Sequence, residues 1–394
     1  MLLKKILDAA SVNSLISTLV NFTFYSLFMR QAIQIDKKME DLARTRNKSS
    51  WPFLTVLVPA RNEEATIEGC LTSILNQDYP NFEVIVIDDN SQDATPQILA
   101  DLAGQYCEQL KVVTLALPLP EYWTGKNNAL WQGYSRVVSK NSEWLLFVDS
   151  DSRLQQGALR GGISYCKDQN LDLLSLAAGY YGGFWHRLLL VELSKLYFLG
   201  AFSINPHAES NVTAVGAFLL ARREAYDKSG GHKAVCHEVI EDAALARSFR
   251  RSGFTTLVSS ASSFVRQEPE ASLKAFWLSM SKNWFLVARG SWARVAFLTL
   301  YQSYNFLPFI RVAFGLAGKE RKVRTFDLAT IGIMLLTYSQ MLQSYKAPRS
   351  YALLYPLAVL IDTLIILDSA VRIGLFRKVS WRDREIKNPL RKPR

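Results

Sequence analysis

The sequence is poor in the residues that build disulfide frames and metal clusters. It has 4 cysteines and 4 histidines in 394 residues. Cys70, Cys107, Cys166 and Cys236 form no CxxC pair and no metal-ligand spacing. That leads away from a disulfide frame and toward buried reduced thiols, as in a cytosolic compartment. His186, His207, His232 and His237 show no HExxH spacing, so zinc hydrolase chemistry is set aside. GxSxG, the P-loop and GxGxxG are also missing, which removes the commonest hydrolase, NTPase and dinucleotide signatures. The chain has no internal repeat and no low-complexity segment.

Acidic charge is in deficit. Lys and Arg number 46 against 35 Asp and Glu, a net charge of +11. The surplus clusters at 30–48, at 319–324 and from 372 to the end, and each cluster flanks an apolar stretch. That is the positive-inside pattern of membrane proteins, not the basic stripe of a nucleic-acid binder. Composition is 49% hydrophobic, 12% aromatic and 21% charged, too apolar for disorder.

Residues 6–29 are apolar with scattered Ser, Thr and Asn, and read as an uncleaved membrane anchor. A polar linker at 36–50 follows. From 53 to 290, apolar runs of strand length alternate with helical patterns. The strands are FLTVLVPA, FEVIVIDD, KVVTLAL and EWLLFVDSD. This alternation predicts an α/β fold with a mainly parallel sheet covered on both faces. In such sheets the ligand sits outside the carboxyl ends of the strands. Pro59-Ala60-Arg61-Asn62, Asp88-Asp89 and Asp149-Ser150-Asp151 all fall there. Farther on, 326–345 and 351–376 are each long enough to span a bilayer. The stretch 292–315, interrupted by Arg294, Pro308 and Arg311, reads as interfacial or re-entrant. The basic loop Lys319–Arg324 and the basic tail then face the cytoplasm. Asp368 lies near Arg372 in the last apolar segment and reads as an interfacial ion pair.

Asp149 and Asp151 flank one residue straight after a strand, an arrangement that suits a hard divalent cation, Mg²⁺ or Mn²⁺. A solvated turn is the plainer alternative. Asp89 can accept from a pyrimidine imide N–H, while Asn90, Ser91 or Asp93 could cap the following helix. Lys126 follows Gly125 at a helix start, a position that suits phosphate, or a lysine simply in solvent. Glu241 and Asp242 open another helix. An acid there can take a proton from an acceptor hydroxyl, or merely complement the helix dipole. His232 and His237 flank these acids, either to touch donor phosphates or to pack.

The ordered set VPARNEE, VIVIDDNSQDAT, WTGKNNAL, FVDSD, GAFLLARREAYDKSGGH and VIEDAAL resembles a family 2 glycosyltransferase of GT-A fold over about 53–290. The resemblance implies that Pro59, Ala60 and Glu63 line the nucleotide pocket and that Asp89 reads the base. It implies Lys126 near the nucleotide and Asp149 with Asp151 on the metal-diphosphate. Asp242, with Glu241 beside it, would be the general base of an inverting displacement. Arg61 stands where many members carry tyrosine, which puts base stacking there in doubt. Met280-Ser-Lys-Asn283-Trp284 stands where processive synthases carry QxxRW, so one sugar per acceptor is expected. Within the family the style is similar to the carotenoid glycosyltransferases of the staphyloxanthin and chlorobactene type, and to hopanoid-associated enzymes.

The expected division is a membrane anchor at 1–30, a basic linker at 31–50 and the GT-A domain at 51–290. Membrane-associated helices at 291–376 and a basic cytoplasmic tail at 377–394 follow. The aromatics Phe276, Trp277, Trp284, Phe285, Trp292 and Phe297 suit a bilayer interface, either to take an apolar acceptor from lipid or only to anchor the domain. The expected partners are a nucleotide-sugar donor, a lipophilic acceptor such as a carotenoid or other terpenoid, and the cell membrane, with no nucleic acid. A hopanoid, polyprenyl phosphate or glycerolipid acceptor is the second reading. An anionic acceptor would use Arg247, Arg250 and Arg251. A non-catalytic membrane scaffold is the third, and the intact Asp89, Asp149, Asp151 and Asp242 speak against it.

Overall fold

The computed structural model describes residues 2–44, 51–115, 118–180, 183–189, 212–270, 272–317, 325–344, 347–381 and 384–387. His207, the basic loop Lys319–Arg324 and the end of the tail lie outside them. Contacts divide the chain into two compact units. One comprises Met1–Gln31, Gly182–Phe198 and Pro269–Arg377, the other Ala32–Tyr181, Leu199–Glu268 and Lys378–Arg394.

The second unit is built on a seven-stranded sheet. Its strands are β1 (Leu54–Ala60), β2 (Phe82–Asp88), β3 (Leu110–Thr114), β4 (Trp144–Phe147), β6 (Leu173–Ala177), β8 (Leu219–Arg222) and β9 (Thr256–Ser260), in the order β3-β2-β1-β4-β8-β6-β9. Only β8 runs antiparallel to its neighbours. The expected mainly parallel sheet is therefore present. Between the strands come α2 (Ile67–Leu75), α3 (Thr95–Gln105), α4 (Gly125–Val137), α5 (Ala158–Gln169) and α9 (Glu241–Arg251). Every residue of β1 and β2 is buried. Their side chains alternate between two cores, because successive residues of a strand face opposite ways. Val56, Val58, Val84 and Val86 join one cluster, and Leu57, Ile85 and Ile87 the other. Fully buried parallel strands thus read as unbroken apolar runs. A small sheet carries β5 (Ser152–Leu154), β10 (Val265–Gln267) and β7 (Gly179–Tyr180).

The polar stretch 36–44 is helical where a linker was expected. It belongs to α1 (Leu2–Arg44). Ile35 and Met39 are one helical turn apart and both enter the core of the sheet unit. Two buried residues in a charged run leave little periodic signal. Cys70 and Cys166 are buried free thiols, as read, but Cys107 is exposed and Cys236 half-buried.

The first unit is helical. It holds α10 (Leu273–Ser281), α11 (Trp284–Val287), α12 (Trp292–Ala317), α13 (Thr325–Ser344) and α14 (Tyr355–Ser369). The stretch 292–315, expected to be interfacial or re-entrant, lies in α12, one continuous helix of 26 residues with Pro308 inside it. Asp368 pairs with Arg372 at 2.7 Å and also accepts from Trp277 Nε1 at 2.8 Å. Among the described residues, two helical stretches are long and apolar enough to cross a membrane, 12–44 and 349–375. α13, at 325–344, is not among them.

Candidate active site

The polar clusters gather where the parallel strands end. Pro59 and Ala60 close β1, and Asp88 closes β2. The loops that follow are laced together. Arg61 Nη1 donates to the carbonyls of Asp89 at 2.6 Å and Asn90 at 3.2 Å. The Asn62 backbone N–H donates to Ser91 Oγ at 3.0 Å, and Asn62 Oδ1 accepts from the Gln92 N–H at 2.8 Å. Asp88 accepts from both the N–H and the hydroxyl of Ser91. Asn62 and Asn90 both take positive φ, 52° and 57°, a conformation asparagine tolerates better than most residues. Asp88 is therefore the turn-holder, and the neighbouring Asp89 is buried at the strand edge. Glu63 lies in the turn that leads into α2, its carbonyl accepting from the Thr66 and Ile67 N–H groups. Arg61 is thus committed to the backbone of the Asp89 turn, a role no tyrosine could fill by the same donation.

Asp149 and Lys126 meet at the centre. Lys126 sits in the first turn of α4, whose N-cap Thr124 accepts from the Asn127 N–H at 3.3 Å. Its Nζ lies 2.6 Å from Asp149 Oδ1 and 2.5 Å from Glu241 Oε1. Burial opposes the charge on Lys126, but Asp149, Glu241 and Asp242 outweigh it and hold the ammonium well above its usual range. Asp242, half-buried beside Glu241, accepts from the Ala243 N–H at 2.7 Å. Burial, then the Glu241 charge, push the Asp242 carboxyl up to about 7, against the pull of Lys126. Lys126, Asp149, Glu241, Asp242 and His232 line one pocket with Pro59.

His232 packs rather than titrates. Its Nδ1 lies 2.9 Å from the Tyr226 hydroxyl, which also accepts from the His232 backbone N–H at 3.1 Å. Burial, then Lys126, lower its pKa to about 3, so it is neutral. The preceding Gly231 takes φ 52°, and a side chain there would run into the Tyr226 ring. His237 lies 3.5 Å from Glu238. Arg250 donates to the carbonyl and hydroxyl of Thr256, which ties it to the sheet unit.

Asp151 is held differently from Asp149. Its Oδ1 accepts from Gln267 Nε2 at 2.9 Å. Among the described residues no cluster of three or more His, Cys, Asp or Glu could hold a metal ion. Two hard carboxylates still suit Mg²⁺ or Mn²⁺, because such ions take one or two carboxylates and complete their shell with phosphate oxygens and water. The donor set therefore fits a cation that arrives with a diphosphate. Gly216 escaped the sequence reading. A Cβ on it would lie 2.8 Å from Asp149 Oδ2 and 2.9 Å from Lys126 Nζ. The only signal was that this glycine opens the GAFLLARR run ahead of a strand.

Residues 55–230 match Glycosyl transferase family 2, and residues 144–366 match Glycosyl transferase family group 2. The 4,4'-diaponeurosporenoate glycosyltransferase of Staphylococcus aureus (strain bovine RF122 / ET3-1) is 26% identical over 345 residues, 84% of this chain and 88% of the relative. The protein of the same name from strain MRSA252 is 27% identical with the same coverage. Among solved structures, the mannosyltransferase PcManGT from Pyrobaculum calidifontis, in complex with GDP-Man and Mn²⁺, shares the fold. It is 17% identical with a TM-score of 0.52, over 94% of this chain and 99% of that one.

Proposed function

The chain belongs to glycosyltransferase family 2, and we propose that it moves one hexose from a nucleotide sugar to a lipophilic terpenoid, inverting the anomeric centre. The donor we favour is UDP-glucose and the acceptor a carotenoid. The observation that carries the reading is the pocket where Lys126, Asp149 and Asp242 meet at the carboxyl edge of the sheet.

In this reading the nucleotide lies along Pro59, Ala60 and Glu63, and the Asp89 carboxylate accepts from the base N–H. Lys126 places positive charge beside the diphosphate. When bound, a divalent cation held by Asp149 and Asp151 adds further positive charge there. Asp242 takes the proton from an acceptor hydroxyl, whereas a carboxyl acceptor would already be ionised and attack as the carboxylate. The freed oxygen attacks the anomeric carbon from the side opposite the diphosphate. A carbon–oxygen bond forms, the bond to the diphosphate breaks, and the electron pair leaves with the nucleoside diphosphate. One in-line displacement inverts the centre. The Gln and Arg of QxxRW are absent, which supports one sugar per acceptor.

The Staphylococcus aureus relatives are named for transfer to 4,4'-diaponeurosporenoate, and this supports an acceptor of that class. The apolar stretches 12–44 and 349–375 support a multi-pass placement in the cell membrane, and the basic clusters beside the apolar stretches support a cytoplasmic catalytic unit. A hopanoid, polyprenyl phosphate or glycerolipid acceptor is the alternative within the same chemistry. The engagement of Arg250 with Thr256 gives an anionic acceptor no support from that residue. Mass spectrometry of lipid extracts with and without the gene tests the reading. A pigment heavier by one hexose is expected. Hexose on another lipid, with the pigments unchanged, refutes the carotenoid acceptor.

A further inference from the structure

We infer that Glu241 is a positioning residue that holds the Lys126 ammonium beside the leaving diphosphate, so that of the two adjacent acids only Asp242 receives the acceptor proton. The inference rests on the reading of this pocket as a nucleotide-sugar site.

Glu241 and Asp242 are neighbours in the first turn of α9, but their surroundings divide their work. Glu241 is 7% exposed, and its carboxylate lies 2.5 Å from Lys126 Nζ. A buried carboxylate is costly unless it is paired, and Lys126 is the partner that Glu241 faces. Asp242 is half-buried, and the one hydrogen bond it makes among the described residues comes from the Ala243 N–H. One carboxylate is locked and the other is open. Lys126 meanwhile has two anionic partners, Asp149 and Glu241. Diphosphate oxygens entering the pocket compete with Asp149 for the ammonium. Glu241 stands behind it as the partner that keeps Lys126 at the site. Gly216 leaves room for this arrangement and no more, since a Cβ there would press on both Lys126 Nζ and Asp149 Oδ2.

The test uses the full-length protein in detergent, with UDP and GDP as probes in calorimetry and donor kinetics alongside. Glu241→Gln should weaken nucleoside diphosphate binding by about tenfold to a hundredfold, the usual loss for one hydrogen bond to a charged group. Lys126→Ala should lose a similar factor, and the double variant should be no worse than either single one. Glu241→Asp should recover part of the loss. Asp242→Asn should bind the nucleotide like the wild type yet fail to transfer. Should Glu241→Gln fail to fold, Glu241→Asp, which keeps the charge but shortens the reach to Lys126, should still show a smaller loss of nucleotide binding. Wild-type affinity in Glu241→Gln, additive losses in the double variant, or lost kcat with intact affinity would each overturn the inference. If the wild type itself binds neither UDP nor GDP, the underlying reading falls and this inference with it.

Discussion

Asp242 is the acid whose proton affinity the fold raises, and the consequence is a pH profile of known sign. A general base works only when deprotonated. With its pKa pushed up to about 7 by burial and by Glu241, Asp242 is mostly protonated in mild acid. kcat/KM for transfer should therefore fall as pH drops below about 7 and level off above it. Asp242→Asn should lower kcat by about 10²–10⁴, the usual worth of a positioned base, while calorimetry finds donor binding largely intact. Lost binding with retained transfer would end the base assignment. Asp149 and Asp151 call for a different measurement. EDTA should stop transfer, and added Mg²⁺ or Mn²⁺ should restore it, because two carboxylates alone cannot close a shell around the ion. Full activity in EDTA would remove the metal from the reaction.

At the scale of elements, the catalytic edge depends on how α4 grips the loop that leads into α9. Asn127 Nδ2 lies near three backbone carbonyls, of Val235 at 3.0 Å, Cys236 at 3.3 Å and Glu238 at 2.9 Å. The Thr124 N–H adds a bond to the Cys236 carbonyl at 2.9 Å. One buried amide thus sets the approach to Glu241 and Asp242. Asn127→Ala leaves those carbonyls short of a donor and should cost about 1–3 kcal/mol of stability, read by denaturant unfolding. Transfer should fall as well, since the base loses its mooring. This grip was not legible in the sequence, because Asn127 and Glu238 are far apart along the chain and no spacing rule joins them. The strands were legible for the opposite reason. Val56, Leu57 and Val58 are buried on both faces, and such runs announce themselves. Asp89, Lys126, Asp149 and Asp242 were legible as residues at strand and helix ends. The ion pairs that give Lys126 two partners, and the close approach of Gly216, exist only once α4, β4, β8 and α9 are assembled. The stretch 31–44 misled because its charged residues hid Ile35 and Met39, which enter the core.

At the scale of the whole molecule, the proposed attachment to a membrane can be tested. The chain's charge and its apolar surface both bear on this. A net charge of +11 attracts the chain to anionic headgroups, and salt screens that attraction beyond about 10 Å at 0.1 M. Exposed apolar side chains act differently, because salt does not weaken their transfer from water. The helices of the first unit carry many such side chains, with Leu300 70% exposed, Phe314 75% and Leu353 74%. Patches this apolar on a soluble surface mark a membrane or partner contact. Alkaline carbonate strips proteins held by charge, whereas a spanning helix stays with the bilayer. The chain should therefore remain in the membrane pellet after both high salt and carbonate. A full-length chain that comes free in carbonate is held by its basic clusters alone, and its acceptor would then have to reach the pocket from the membrane surface rather than from within the bilayer.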